Sequence, residues 1–263
     1  MIYFCIPARN EAATVGLVLW KLRQVLAETS REYQFIVGDD ASDDGTAEVL
    51  EPYTRALPLT LLRSEQRLGY AATIERLMRE ALDRSDRHKR DVAVLWPADF
   101  TAEPSDLLEM LRKLDSGADL VIGEATVIGE TDRGRRLVRR WASRLLGRKV
   151  RVPGVRDVVS GVTAIRLVAL RQAFRDRPDR WLITEGWAAN AELVAWVAGA
   201  ARQVERVPVS IHEDRRQRPS RIQPWSMVRA LWQARSQLVA PPRSVAPARD
   251  RPSRTGQRSK EVA

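Results

Sequence analysis

The stretch Val37-Gly38-Asp39-Asp40-Ala41-Ser42-Asp43-Asp44-Gly45-Thr46 decides how the rest of the chain is read. The apolar run Gln34–Val37 enters it as a strand, and the amphipathic run Thr46–Leu57 leaves it as a helix. Four carboxylates within six residues repel one another unless they are solvated, capped or paired with a ligand. Asp43, Asp44 and Gly45 carry turn chemistry that leads to a helix N-terminus at Thr46. Asp39 and Asp40 stand at the strand end itself, where a carboxylate can accept hydrogen bonds from a nucleobase edge or from ribose hydroxyls.

The same strand-to-helix rhythm extends in both directions. Ile2–Ile6, Leu59–Leu62, Val92–Trp96 and Asp119–Ile122 read as further strands, apolar throughout rather than alternating, as expected of strands covered on both faces. Helical patterns lie between them over Glu11–Glu28, Tyr70–Leu82 and Ser105–Leu114. This alternation predicts an α/β fold, a mostly parallel doubly wound sheet with helices on both faces. Ligands of such sheets gather beyond the carboxyl ends of the strands. Beyond residue 123 the reading is a basic helical pattern over Arg133–Val150, a strand over Val158–Ile165, a helix over Glu185–Ala201 and a strand over Val204–Ile211. A last amphipathic stretch covers Trp225–Val239. The domain division expected is 1–215 for the α/β unit, 216–240 for a basic loop and amphipathic helix, and 241–263 for a disordered tail. That tail holds four of the fourteen prolines and almost no large apolar residue.

Two other strand ends carry chemistry. Ile6-Pro7-Ala8-Arg9-Asn10-Glu11 follows the first strand, where a turn into a helix offers free backbone N–H groups to a nucleotide or phosphate. Leu95-Trp96-Pro97-Ala98-Asp99-Phe100-Thr101 follows another, and Asp99 beside the earlier segments suits a hard divalent cation that also binds a diphosphate.

In this order and spacing, the three segments resemble family 2 inverting glycosyltransferases of the GT-A fold. IPARNEA is similar to that family's opening nucleotide-binding segment, DDASDDGT to its DDGSxDGT signature, and PADF stands in the place of its Asp-x-Asp motif. Asp157-Val158-Val159-Ser160-Gly161 resembles the D-x-x-S-G segment of the polyprenyl-phosphate sugar transferases, the dolichol-phosphate mannose synthase group. Gly186-Trp187 through Glu192-Leu193, Val207-Pro208-Val209 and Arg216 to Arg221 are similar to that group's later helix, strand and basic loop.

The resemblance implies a UDP- or GDP-sugar donor lined by Pro7, Arg9, Asn10, Glu11, Asp39, Asp40, Ala98 and Asp99. It implies a divalent cation, Mg²⁺ or Mn²⁺, on Asp99, and an acceptor region bordered by Ser160 and Gly161. Phosphate oxygens would fall to Arg216, Ser220 and Arg221, since the planar guanidinium fork contacts phosphate in pairs. The acceptor implied is polyprenyl phosphate. A lipid phosphate is already anionic near neutral pH and needs no strong base; a hydroxyl acceptor needs a carboxylate. Glu185 and Glu192 are the residues to inspect for that role, and Glu192 is carried forward as the candidate beside Asp99. The histidines, His88 and His212, have no matching partners and read as structural or exposed. Pro97 departs from the pattern by replacing the first acidic residue of Asp-x-Asp. Thr101 stands where the group often has Gln, Thr163 where it has Arg, and Arg218 where it has Gly. These departures bear on metal binding, on acceptor choice and on whether activity is retained.

Composition sets the outer bounds. The 263 residues are 44% hydrophobic, enough for a packed core. The longest charge-free runs are nine residues, against the roughly 20 needed to span a bilayer. No secretion signal is read in MIYFCIPARNE, and a single cysteine, Cys5, makes no internal disulfide. The expected setting is cytoplasmic, with peripheral attachment to the inner face of the cell membrane. Lys and Arg exceed Asp and Glu by ten, and Arg133–Lys149 holds eight basic residues and no acidic one. Its Leu137, Val138, Trp141, Leu145 and Leu146 make one helical face flanked by arginines, the build of a helix that lies on an anionic membrane. Nucleic acid would also suit the charge, but no recognition-helix, zinc-finger or RNP pattern occurs and the acidic strand ends would repel a polyanion, so none is expected as a partner. The other reading kept is a GT-A protein that uses a soluble acceptor or binds sugar nucleotide without turnover.

Overall fold

A computed structural model of the chain describes residues 1–129, 152–177 and 179–217, with Leu146 and Val150 between the first two stretches. The strands are β1 (Ile2–Ala8), β2 (Tyr33–Asp39), β3 (Leu59–Arg63), β4 (Val92–Leu95), β5 (Leu120–Ile128), β6 (Thr163–Arg166) and β7 (Val204–His212). The helices are α1 (Val15–Leu26), α2 (Thr46–Ala56), α3 (Tyr70–Arg84), α4 (Leu107–Asp115), α5 (Leu167–Ala173) and α6 (Trp187–Ala200). One sheet runs in the order β3-β2-β1-β4-β6-β5-β7, parallel except for β6, which lies antiparallel between β4 and β5.

The unbroken apolar strands have the physical cause expected of them. Along β1, Ile2, Phe4, Ile6 and Ala8 pack into one cluster with the apolar faces of α1 and α4 and with Leu50 of α2. Tyr3 and Cys5, on the alternate positions, pack into the other cluster with α3, α5 and α6. Both pleats of β1 are therefore buried, and period-two alternation has no solvent face to record. Helix α6 is apolar on all sides and buried over most of Ala188–Ala198, a central helix rather than a surface one. Burial pushes the Cys5 thiol well above its ordinary range, so this cysteine is packing material.

Topology positions the site. The chain steps from β1 outward to β2 and β3, then returns to the opposite side of β1 as β4. Connections leave β1 in both directions, so its carboxyl end opens a crevice toward β4, the switch point at which such sheets bind ligands. Beyond Ile122, β5 outruns β6 and pairs with β7 alone, which carries the end of β7 up to the loop after β4. Gly123 allows this, since a Cβ there would lie 2.6 Å from Val209 and 3.1 Å from the Val162 carbonyl.

Several boundaries differ from the expectation, among them β5, which runs on to Ile128 past the expected end at Ile122 because it pairs with β7 along that length. The strand expected over Val158–Ile165 begins only at Thr163, because Asp157 and Ser160 turn the preceding backbone: their side chains accept the amides of Val159 and Val162. Helix α1 begins at Val15, after Glu11 has bound the Thr14 and Val15 amides through its carbonyl. Helix α5 was not expected, being short and continuous with a strand. Most of the basic stretch Arg133–Val150, the amphipathic stretch Trp225–Val239 and the tail 241–263 lie outside the described residues, although Leu146 and Val150 are buried in the α3 side of the core.

Candidate active site

The loop after β1 and the loop after β2 form one rigid clip. Asn10, at φ 51°, donates its backbone N–H to Ser42 Oγ at 2.9 Å and its side-chain amide to Asp43, and its Oδ1 accepts the Asp43 amide at 3.1 Å. The Glu11 amide donates to Thr46 Oγ1 at 2.9 Å, and the Ala12 amide to Asp44 Oδ2 at 3.0 Å. Asp44 also accepts the Thr46 amide and hydroxyl. Burial works against the Asp44 charge, but the bonds from Thr46 and the Ala12 amide outweigh it and hold the carboxyl below its ordinary range.

Beneath this clip, Asp39 is fully buried. Its Oδ1 accepts the Ser42 amide at 3.2 Å, and its Oδ2 has no hydrogen-bond partner among the described residues, with Arg63 Nε 3.9 Å away. Asp40 turns the other way and binds the Leu68 amide at 2.6 Å and the Gly69 amide at 3.2 Å, ordering the loop before α3.

The loop after β4 supplies Pro97, Ala98 and Asp99. Asp99 Oδ1 accepts the Thr101 hydroxyl at 2.6 Å and its amide at 3.2 Å. Its Oδ2 meets Arg216 Nη2 at 2.5 Å. Arg216 arrives by a stitched path. The His212 amide bonds the Thr101 carbonyl at 2.7 Å, the Glu103 amide bonds Ser210, and Arg215 pairs with Glu103 at 2.9 Å. The third wall comes from α3 and α6: Tyr70 donates to Asn190 Oδ1 at 3.1 Å, and Asn190 Nδ2 donates to the Val159 carbonyl at 3.2 Å. Burial, with a further contribution from the Asp99 charge, pushes the Tyr70 hydroxyl up to about 12, so it stays a neutral donor.

These walls enclose a cavity of about 370 Å³ at the carboxyl ends of β1 and β4. Residues 3–174 match the family model for glycosyl transferase family 2. The chain belongs to glycosyl transferase family 2. It is 25% identical over 213 residues to a polyprenol monophosphomannose synthase of Mycolicibacterium smegmatis, covering 79% of this chain and 76% of that one. Among solved structures it is similar to glucosyl-3-phosphoglycerate synthase from Mycobacterium tuberculosis in complex with Mn²⁺, UDP-glucose and glycerol 3-phosphate. That match has a TM-score of 0.58 and 18% identity, and covers 90% of this chain and 80% of that one. A second is S. aureus TarS in complex with UDP-GlcNAc, with a TM-score of 0.56 and 13% identity over 89% and 65% of the two chains. At those identities the structures speak for the GT-A fold.

Within this family 2 glycosyltransferase, Pro7, Arg9, Glu11 and Asp40 line the cavity from the β1 and β2 side, and Ala98, Asp99 and Arg216 from the β4 and β7 side. Ser160 and Gly161 border it, so sequence-expected residues from five separate stretches meet in one pocket. Asn10 and Asp39 do not line it; Asn10 binds the second loop and Asp39 lies under it. Ser220 and Arg221 lie outside the described residues.

Glu192 requires correction. It is 2% exposed, and its Oε2 accepts the Ile183 and Thr184 amides and the Thr184 hydroxyl at 2.8–3.0 Å. It holds the loop before α6 and is absent from the cavity wall. Glu185 likewise accepts the Ala71 amide at 3.2 Å. Arg67, Tyr70, Asn190 and Glu213 line the cavity without having been given a role, and so does Trp187, expected only as part of a helix. Arg67 and Tyr70 could have been found, since they follow strand β3 as the acidic segments follow β1, β2 and β4.

The donor set fits a protein-held divalent cation poorly. The Pro97 side chain has no ligand atom where the family pattern has its first carboxylate, and both Asp99 oxygens are engaged. Among the described residues no group of three or more His, Cys, Asp or Glu side chains is arranged to hold a cation.

Proposed function

We propose that this family 2 glycosyltransferase moves a sugar from a UDP- or GDP-sugar to polyprenyl phosphate at a membrane surface. The observation that carries the reading is the joining of Asp40, Asp99, Ser160 and Arg216 around one cavity at the β1–β4 switch point. Similarity to a polyprenol monophosphomannose synthase over most of both chains supports the acceptor class. The basic residues of Arg133–Lys149 support a surface-bound enzyme on sequence grounds, although Leu146, expected on its membrane-facing side, is buried in the core instead; no described helix is long and apolar enough to cross a membrane.

The chemistry follows from the wall. An oxygen of the acceptor phosphate forms a bond to the anomeric carbon, while the bond from that carbon to the donor's diphosphate oxygen breaks. The electron pair leaves with the nucleoside diphosphate, and the configuration at carbon inverts. Charge grows on the departing diphosphate, and fixed cationic and dipolar groups around it lower the barrier most. Asp40 and the loop it orders face the nucleoside end, and Arg216 faces the phosphates. The acceptor is an anion already, so no carboxylate base is required, consistent with the engagement of Glu192 in the protein's own backbone.

Thermal shift with UDP and GDP, followed by transfer assays on a short polyprenyl phosphate and on a water-soluble phosphate monoester, tests the reading. Binding of one nucleoside diphosphate and transfer to the lipid phosphate are expected. Transfer to the soluble acceptor alone would select the soluble-acceptor reading, and nucleotide binding without transfer to either would select a donor-binding protein. Glu192→Gln is expected to keep kcat within about tenfold, where loss of a general base costs about 10²–10⁴.

A further inference from the structure

We propose that the donor's diphosphate is received by the guanidinium groups of Arg216 and Arg9 in place of a protein-held divalent cation. The inference rests on the nucleoside-diphosphate donor of the preceding reading and assigns the groups that neutralise it.

The first observation is the Asp99 carboxylate. Thr101 occupies one oxygen with its hydroxyl and amide, and Arg216 occupies the other at 2.5 Å. A dication approaching Asp99 therefore meets a fixed positive charge before it meets a ligand atom. Pro97 cannot supply the second carboxylate, and the described residues offer no three-ligand group to replace it. The second observation is independent. Nε of Arg216, and Nε and Nη1 of Arg9, are buried yet have no hydrogen-bond partner among the described residues. Buried N–H donors left unpaired carry an uncompensated desolvation cost, and they are rare unless something else supplies the acceptor. Both side chains line the same cavity, from the loops after β1 and β7. What they lack is an acceptor with several anionic oxygens within one pocket, and a diphosphate has that form. Guanidinium forks meet phosphate oxygens in pairs, so two of them suit a diphosphate better than a monophosphate.

Asp99 then acts as a positioning residue. It holds the Arg216 fork from behind through Nη2, with the Thr101 contacts fixing its own orientation, while the buried Nε of Arg216 is left without an acceptor among the described residues. The stitching of Thr101, Glu103 and Arg215 between the loops after β4 and β7 gives that cation a fixed place in the way a bound metal would have one.

Isothermal titration of UDP and GDP into the full-length protein, once with EDTA and once with Mn²⁺, tests the proposal. Ultraviolet and thermal-melt controls on each unliganded variant report folding. The nucleoside diphosphate that binds is expected to do so with a Kd in EDTA within about threefold of that in Mn²⁺. Arg216→Gln and Arg9→Gln are each expected to weaken the diphosphate by about tenfold or more while changing the nucleoside monophosphate far less. Asp99→Asn is expected to weaken metal-free diphosphate binding by about threefold to tenfold, less than either arginine change, since asparagine still accepts from Thr101 but no longer holds the Arg216 fork. Binding that disappears in EDTA, returns with Mn²⁺ and is abolished by Asp99→Asn would overturn the proposal and leave the donor reading standing. Metal-free binding that ignores both arginine changes would overturn the assignment to these side chains. No nucleotide bound in either condition would overturn the donor reading and this inference with it.

Discussion

The loop after β2 and the loop after β4 both leave the sheet on carboxylates, and they use them for opposite ends. After β2, Asp43 and Asp44 are engaged by backbone amides and side chains of the loop after β1 and of their own helix start. After β4, Asp99 holds Thr101 with one oxygen and offers the other to Arg216, a side chain from a distant part of the chain that also lines the cavity. A carboxylate bound to backbone amides is part of the scaffold, because its partners cannot leave without unfolding the loop. A carboxylate bound to a charged side chain at a cavity wall can share that partner with a ligand. The two loops look alike in composition and differ in what answers their charge.

The sharpest way to break this contrast is Asp44→Ala. It removes the acceptor of the Ala12 amide and of the Thr46 amide and hydroxyl, and is expected to lower stability by about 2–3 kcal/mol in urea denaturation. Its pH dependence adds a check. Because the folded Asp44 carboxyl titrates below its ordinary 3.8, its contribution is fully present above that value and disappears as pH falls through the lower folded one. The difference between wild type and variant should therefore shrink below pH 3.8; a difference that grew there would refute the scaffold role.

Asn10→Ala should cost less, about 1–2 kcal/mol, since it removes two side-chain bonds across the clip and leaves the backbone bond to Ser42. Asp99→Asn should change stability least, by about 1 kcal/mol or less. Asparagine keeps an acceptor for Thr101, and water in the cavity takes over Arg216. Equal losses from Asp44→Ala and Asp99→Asn would erase the distinction between the two loops.

Much of this was legible in the residues. Unbroken apolar strands announce helices on both faces, and the strand-end rule places Pro7, Glu11, Asp40 and Asp99 at one edge of the sheet. The rest depended on partners that spacing does not reveal. Asp39 and Asp40 are adjacent, so the pleat must send them to different sides; which side faces the cavity depends on packing against α3. Glu192 reads as a candidate because a hydroxyl acceptor needs a carboxylate base, yet only the fold shows its carboxylate binding the amides of Ile183 and Thr184. The Arg216–Asp99 pair joins residues 117 positions apart and rests on the β5–β7 extension, a tertiary pairing with no local signal.

The central claim is that one cavity at the β1–β4 switch point receives the nucleoside diphosphate of a sugar donor. A crystal structure of the protein soaked with the nucleoside diphosphate it binds tests this most directly. The account predicts the nucleoside beside Asp40 and the loop before α3, with the diphosphate between Arg9 and Arg216. Density for the nucleotide on any other surface, with this cavity filled only by water, would contradict it.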